Sequence, residues 1–168
     1  MDIKTPLLLD GATGECLNRR GMPAGECPER WILEHPDILA ELQREYVQAG
    51  SRVVYAPTFG ANREKMGRYG LAGEVARYNR ELAALSRAAV GSGILVAGNM
   101  TGLGLFLQPM GDSTFAGLKA IFKEQAAALA GAGVDLFVIE TVTDLADARA
   151  AVLAIREVSD RPIFCTFS

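Results

Sequence analysis

Cysteine, histidine and long apolar runs are all scarce in this chain of 168 residues, which holds three cysteines and one histidine. The cysteines Cys16, Cys27 and Cys165 form no CxxC pair, so a disulfide scaffold is not expected. Their irregular spacing also argues against a three-thiolate metal site, and Cys165 reads as a small buried hydrophobe. No apolar run approaches the roughly 20 residues of a membrane-spanning helix. The opening residues Met1–Pro6 contain no basic segment leading into an apolar stretch, so a secretory leader is not expected and a reducing cytoplasm is. There is no excess of positive charge: 17 Lys and Arg stand against 20 Asp and Glu, a net charge of -3. Neither nucleic acid nor an anionic membrane surface is therefore expected as a partner. No complete GxGxxG or GxxxxGK[ST] occurs; Gly102-Leu103-Gly104 begins like the former and stops.

What the chain does have is apolar residues, 49% of the total, with a mean hydropathy of +0.15. That supports a buried core and excludes a disordered chain. Consecutive apolar runs start at Leu7, Val53, Ile94, Leu136 and Ile163. Runs without alternation suit parallel strands covered on both faces. Between them lie helical stripes: Ile38, Leu39, Leu42, Tyr46 and Val47; Val75, Tyr78, Leu82 and Leu85; Phe115, Leu118, Ile121, Phe122 and Leu129; Leu145, Ala148, Val152 and Ile155. Ser113 or Thr114 starts the third helix and Thr143 or Asp144 the fourth, while a short helix around Glu29–Leu33 precedes His35-Pro36. The aromatic side chains in these stripes read as core, Trp31 as a packed anchor and His35 as the cap of a last helical turn.

The repeating strand–helix unit makes the class α/β with a parallel sheet, in one domain over residues 1–168. A complete (βα)8 barrel needs about 250 residues, so five strands fit either the first part of such a barrel or an open doubly wound sheet.

Chemistry in parallel α/β folds collects at the carboxyl ends of strands. Those positions hold Asp10-Gly11-Ala12-Thr13-Gly14, Thr58-Phe59-Gly60-Ala61-Asn62, Gly98-Asn99-Met100-Thr101-Gly102 and Glu140-Thr141. Asp10 and Glu140, each straight after a buried strand, suit a ligand ammonium; the glycine-bracketed loop 11–14 offers backbone N–H groups to a carboxylate. Together they describe a pocket for an amino-acid zwitterion. The competing reading is that both acids bond only neighbouring loop amides. Arg63 and Lys65 read as a solvated loop rather than as an anion site.

These segments resemble a known family. Leu9-Asp10-Gly11-Ala12-Thr13-Gly14 is similar to the LDGAMGT opening of the homocysteine S-methyltransferases, and Tyr55-Ala56-Pro57-Thr58-Phe59-Gly60-Ala61-Asn62 to their TNTFGAN strand. Val96-Ala97-Gly98-Asn99 through Gln108-Pro109-Met110-Gly111-Asp112 resembles their third-strand segment. Glu124-Gln125 through Ile139-Glu140-Thr141 resembles EQ…AGVDLIxIET, and Arg161–Phe167 the fifth strand. The order is kept along the whole chain, and the module most like it is the homocysteine-binding part of cobalamin-dependent methionine synthase.

The resemblance implies the first five strands of a TIM (βα)8 barrel, truncated, and methyl transfer to the thiol of homocysteine. It implies Asp10 and Glu140 as holders of the ammonium and Gly11 and Ala12 as the backbone receiving the carboxylate; Thr58 and Asn99, at strand ends, are expected to bind substrate beside them. It also implies zinc, held in the family by cysteines of the sixth and eighth strands; no cysteine here matches a ligand position. The methyl donor would be methylcobalamin or a methylated small molecule. Thr13, Glu15, Pro57, Asn99 and Met100–Leu103 depart from the family pattern. Two functional readings follow. One is the amino-acid-anchoring half of a methyltransferase, inactive alone. The other is a non-catalytic half-barrel that binds an amino acid or a partner domain. Bare edge strands lead us to expect self-association, or pairing with a completing half-barrel or corrinoid domain. A pterin-binding methyltransferase shares the strand-end acids but not the ordered motifs.

Overall fold

In the computed structural model, which describes residues 7–168, the apolar runs become parallel strands and the stripes become helices. In chain order the elements are α1 (Thr13–Arg19), α2 (Pro28–Glu34), α3 (Pro36–Gln48), β1 (Val53–Tyr55), α4 (Arg63–Gly67), α5 (Val75–Val90), β2 (Leu95–Thr101), α6 (Phe115–Gly131), β3 (Leu136–Val142), α7 (Leu145–Arg156) and β4 (Ile163–Phe167). The sheet order is β1-β2-β3-β4, parallel throughout. This is an α/β architecture, a parallel sheet with alternating helices. Met1–Pro6, read above for a leader, lie outside the described residues.

The first expected strand is much reduced. Of Leu7–Leu9, only Leu9 forms a ladder bridge, with Val53, and the Arg52 N–H donates to the Leu8 carbonyl at 2.8 Å. The reason is local. Its neighbour β1 is three residues long, and Pro57, two residues on, has no N–H to continue a ladder. The segment therefore lies along β1 without becoming a full strand, and the sheet has four strands rather than five.

Helix boundaries follow side-chain chemistry. Pro28 and Pro36 occupy first-turn positions, where the missing N–H costs nothing. Thr114 Oγ1 accepts from the Gly117 N–H at 3.1 Å and Asp144 Oδ1 from the Ala146 N–H at 2.7 Å, so each caps the helix it was expected to start. His35 joins α2 to α3; its Nδ1 lies 2.9 Å from the Trp31 carbonyl and its ring stacks on Trp31. Two short helices went unread in the sequence. α1 absorbs Thr13 and Gly14 of the expected loop, and α4 absorbs Arg63 and Lys65, with Asn62 accepting from the Lys65 N–H. Arg63 forms a two-pronged ion pair with Glu124 on α6.

The strands alternate between two apolar environments. Val96, Met100, Phe137 and Ile139 pack under α6 and α7, while Val53, Ala97, Leu136 and Val138 form a smaller cluster on the other face. Period-two alternation carries Asn99 and Glu140 onto that second face, at its carboxyl edge. Cys165 departs from expectation: it is exposed. It lies on β4, the outer strand of the sheet, where no further element packs among the described residues.

Gly98 is needed for the close approach of α6. A Cβ there would lie 3.0 Å from Leu129 Cδ1 and 3.3 Å from both Leu129 Cβ and Val134 Cγ2. Gly98→Val is expected to lower stability by about 1–3 kcal/mol in urea unfolding, the usual cost of overpacking a closed interface.

Candidate functional site

Asp10 emerges where the Leu7–Leu9 segment leaves β1. Its Oδ2 accepts the Tyr55 N–H at 2.8 Å, taking the place of the backbone acceptor that a longer first strand would have supplied. Its Oδ1 is buried without a partner among the described residues. Burial pushes the Asp10 carboxyl up to about 7; the nearby Glu140 charge adds to the rise, and the Tyr55 N–H opposes it.

Glu140 projects from the end of β3. Its Oε1 accepts from Asn99 Nδ2 at 2.7 Å, and its carbonyl accepts from Thr101 Oγ1 at 2.9 Å. The next residue, Thr141, has φ 57, and the β3–β4 register slips between Ile139 and Val142. A β-branched residue in that conformation is strained, and a bulge re-aims the side chains beside it. The strain thus sits directly next to Glu140.

Asn99 is itself held from behind. Thr58 Oγ1 donates to the Asn99 carbonyl at 2.8 Å and lies 3.2 Å from the Asn99 N–H, which donates to it. Gln125 Nε2 on α6 donates to the Thr58 carbonyl at 2.7 Å. A chain of bonds therefore runs from Gln125 through Thr58 and Asn99 to Glu140.

Five of the six residues singled out in the sequence, Asp10, Gly11, Ala12, Asn99 and Glu140, line one cavity of about 660 Å³. Thr58 does not; it is fully buried and acts on the cavity through Asn99. The opposite wall comes from α2, α4 and the β1–α4 loop, and sequence reasoning missed it. Glu29 is buried there, with Oε1 accepting the Gly60 N–H at 2.9 Å and Oε2 accepting the Cys27 thiol at 3.4 Å. Burial raises its pKa. In sequence, Glu29 is indistinguishable from any acid of a helix first turn. Gly60 is its one visible correlate, since a Cβ there would come within 2.7 Å of Glu29 Oε1. Phe59, Lys65, Arg68 and Tyr69 complete this wall.

Residues 7–168 match the family model for homocysteine S-methyltransferase. The chain belongs to that family. Among curated homocysteine S-methyltransferase relatives, the methionine synthase of Mycobacterium tuberculosis is 29% identical over 164 residues, 90% of this chain and 14% of its own length. The S-methylmethionine–homocysteine S-methyltransferase BHMT2 of Pongo abelii is 30% identical over 159 residues, 94% of this chain and 41% of its own. The metallated homocysteine methyltransferase MmuM from Escherichia coli superposes with a TM-score of 0.80 at 20% identity, covering 98% of this chain and 64% of that one. At that identity the likeness shows the fold, a TIM-barrel type. The chain spans less than half the length of these two curated relatives.

The zinc expected of a homocysteine S-methyltransferase does not fit the residues present. Cys16 lies 3.5 Å from the Tyr46 hydroxyl, Cys27 is buried against Glu29, and Cys165 is exposed on β4. Among the described residues no group of three His, Cys, Asp or Glu side chains is placed to hold a metal ion. No helix among them is long and apolar enough to cross a membrane.

An acid whose folded pKa is raised binds more protons folded than unfolded. Its ionisation therefore costs stability as pH climbs from 3.8 towards about 7. Asp10→Asn keeps the acceptor for Tyr55 and removes that cost. Relative to wild type it is expected to gain about 1–2 kcal/mol between about pH 5 and about pH 8, read by denaturant unfolding at both.

Proposed function

We propose that this protein binds homocysteine through its ammonium group and presents the thiol for methylation to methionine. The observation that carries the reading is the concentration of acceptors on the strand-end wall. Asp10 and Glu140 face one cavity, and two buried oxygens beside it, Asp10 Oδ1 and Asn99 Oδ1, have no donor among the described residues. An ammonium, with three N–H donors and a positive charge, is the ligand group that such a wall favours. The Gly11 and Ala12 N–H groups make no backbone bond among the described residues and are available to the ligand carboxylate. Names of the relatives add support, since those of BHMT2 and of the betaine–homocysteine enzymes of Bos taurus and Rattus norvegicus specify transfer to homocysteine.

In the reaction the homocysteine sulfur forms a bond to the donor's methyl carbon. The bond from that methyl to the donor breaks with its electron pair left on the donor, and the thiol proton passes to solvent. This chain's residues contribute binding and orientation. Asn99 fixes the Glu140 carboxylate, and Gln125 and Thr58 fix Asn99. With no zinc-holding set among them, thiol activation is not assigned to residues 7–168. Free cysteines at all three positions suit a reducing cytoplasm.

Asp10→Ala or Glu140→Ala is expected to weaken homocysteine binding by about 1.5–3 kcal/mol in isothermal titration calorimetry, the range for a hydrogen bond to a charged group. Unchanged affinity in both variants would sink the pocket.

The alternative, a half-barrel that binds without transferring, draws on the free sheet edge. Phe167 on β4 is 58% exposed and Leu145 at the start of α7 is 73% exposed. Apolar surface beside a strand whose outer edge has no partner among the described residues favours association with a second copy, a completing half-barrel or a corrinoid domain. Light scattering is expected to show mass rising with concentration in the micromolar range; a constant monomer mass would contradict it.

A further inference from the structure

The cavity holds an amine that the homocysteine reading leaves unused. Lys65, on α4, lines it together with Arg68, Phe59 and Tyr69. Lys119 and Lys123 are tied to Glu157, and Arg63 to Glu124, but Lys65 forms no ion pair among the described residues. It is half-buried, its Nζ 5.0 Å from the centre of the Phe59 ring. The charges that face it are Arg68 at the end of its own helix, Glu29 on α2 and Asp147 on α7. Neither acid lies within ion-pair distance: Glu29 is turned to the Gly60 N–H and the Cys27 thiol, and Asp147 to the Leu103 N–H. Burial and the Arg68 charge outweigh those two acids and press the Lys65 ammonium towards its neutral form. An amine desolvated in a largely apolar cavity, beside a second cation, is the arrangement that makes lysine a nucleophile towards carbonyl carbon.

We infer that Lys65 is a nucleophile that forms a reversible imine with a small 2-oxo acid, whose carboxylate is held by Arg68 and whose alkyl group enters the apolar part of the cavity. Lys65 and Arg68 are three positions apart and share a side of one turn, so they meet neighbouring atoms of one ligand. In a 2-oxo acid the carboxylate is bonded directly to the carbon that is attacked. Leu17, Met22 and Ile32 supply the apolar lining, and a cavity of about 660 Å³ lies within the roughly 300–1,000 Å³ of small-molecule pockets. In the reaction Nζ bonds to the oxo carbon while the carbonyl π pair moves to oxygen, and an amine proton passes to that oxygen. The resulting carbinolamine loses its hydroxyl as water, with a proton from solvent, as the nitrogen lone pair forms the C=N bond; the remaining N–H proton returns to solvent. An amine and a carbonyl thus give an imine and water, with no oxidant or reductant. The inference goes beyond the homocysteine reading and does not rest on it, since no step uses Asp10 or Glu140.

The test is reductive trapping. The 168-residue chain is incubated with pyruvate or 4-methyl-2-oxopentanoate and sodium cyanoborohydride, without homocysteine, and its peptides are mapped by mass spectrometry. Labelling of Lys65 is expected to saturate with oxo acid and to run about ten-fold or more faster than labelling of Lys119, the ion-paired control. The Lys65 rate is expected to level off at a lower pH than the Lys119 rate, because burial and Arg68 favour its neutral amine. In concentrated urea the difference between the two lysines is expected to vanish. Arg68→Gln, at an exposed position, is expected to raise the half-saturating oxo acid concentration about three-fold with Lys65 still labelled. If thermal melting shows that variant to be unfolded, propanal replaces it as the test of the carboxylate: the ratio of Lys65 to Lys119 labelling is expected to fall about three-fold or more from its value with pyruvate. The inference is overturned if the two lysines label alike in the folded chain, if Lys65 labels without saturation, or if its preference persists in urea. It is also overturned if a folded Arg68→Gln variant, or propanal in its place, changes nothing.

Discussion

The hydrogen bond from the Tyr55 N–H to the Asp10 carboxylate is the constraint on which the site depends. A side chain stands where a strand backbone would otherwise continue the ladder. It ties the amino-terminal segment to β1 and ends the pairing, so that Gly11 and Ala12 turn away into the cavity lining. The same bond holds a carboxylate in a place where burial works against its charge. Desolvation outweighs the amide that stabilises it, and the Glu140 charge adds to the imbalance.

Glu140 is placed by a different device. Strand alternation brings it to the same face as Asn99, the bulge at Thr141 redirects the backbone immediately after it, and the Asn99 amide fixes one of its oxygens. Asn99 can do this because Thr58 satisfies both of its backbone groups and Gln125 secures Thr58. A polar chain of this kind, buried and bonded at each link, specifies one arrangement of the acid pair. An aspartate at position 99 would have no amide to donate and would add a third negative charge to this wall.

The fold class was legible because parallel strands buried on both faces need consecutive apolar residues, as in Leu136–Ile139 and Leu95–Ala97. The long helices were legible from their stripes and from Thr114 and Asp144 at their starts. α1 and α4 were not: α1 begins inside the glycine-bracketed loop 11–14, and α4, five residues long, is too short to show a helical period. Cys165 was misread because a strand's apolar neighbours say nothing about whether it lies inside the sheet or at its edge. The full first strand was misread because Leu7–Leu9 looks like any strand until its partner proves to be three residues long.

By itself the sequence determined the alternation of the longer strands and helices, the family, and the acids at positions 10 and 140, because each is written in local pattern or ordered motif. Only the tertiary structure decided that Asp10 and Glu140 share a cavity and that Thr58 serves it from behind. It also decided that Glu29 and Lys65 form its opposite wall. Those relations join residues 31 or more positions apart, such as Glu29 with Gly60, Thr58 with Gln125 and Asp10 with Glu140. Contacts of that range arise when packing brings separate elements together, and desolvation, which sets the charge state of each buried group, exists only once they are there.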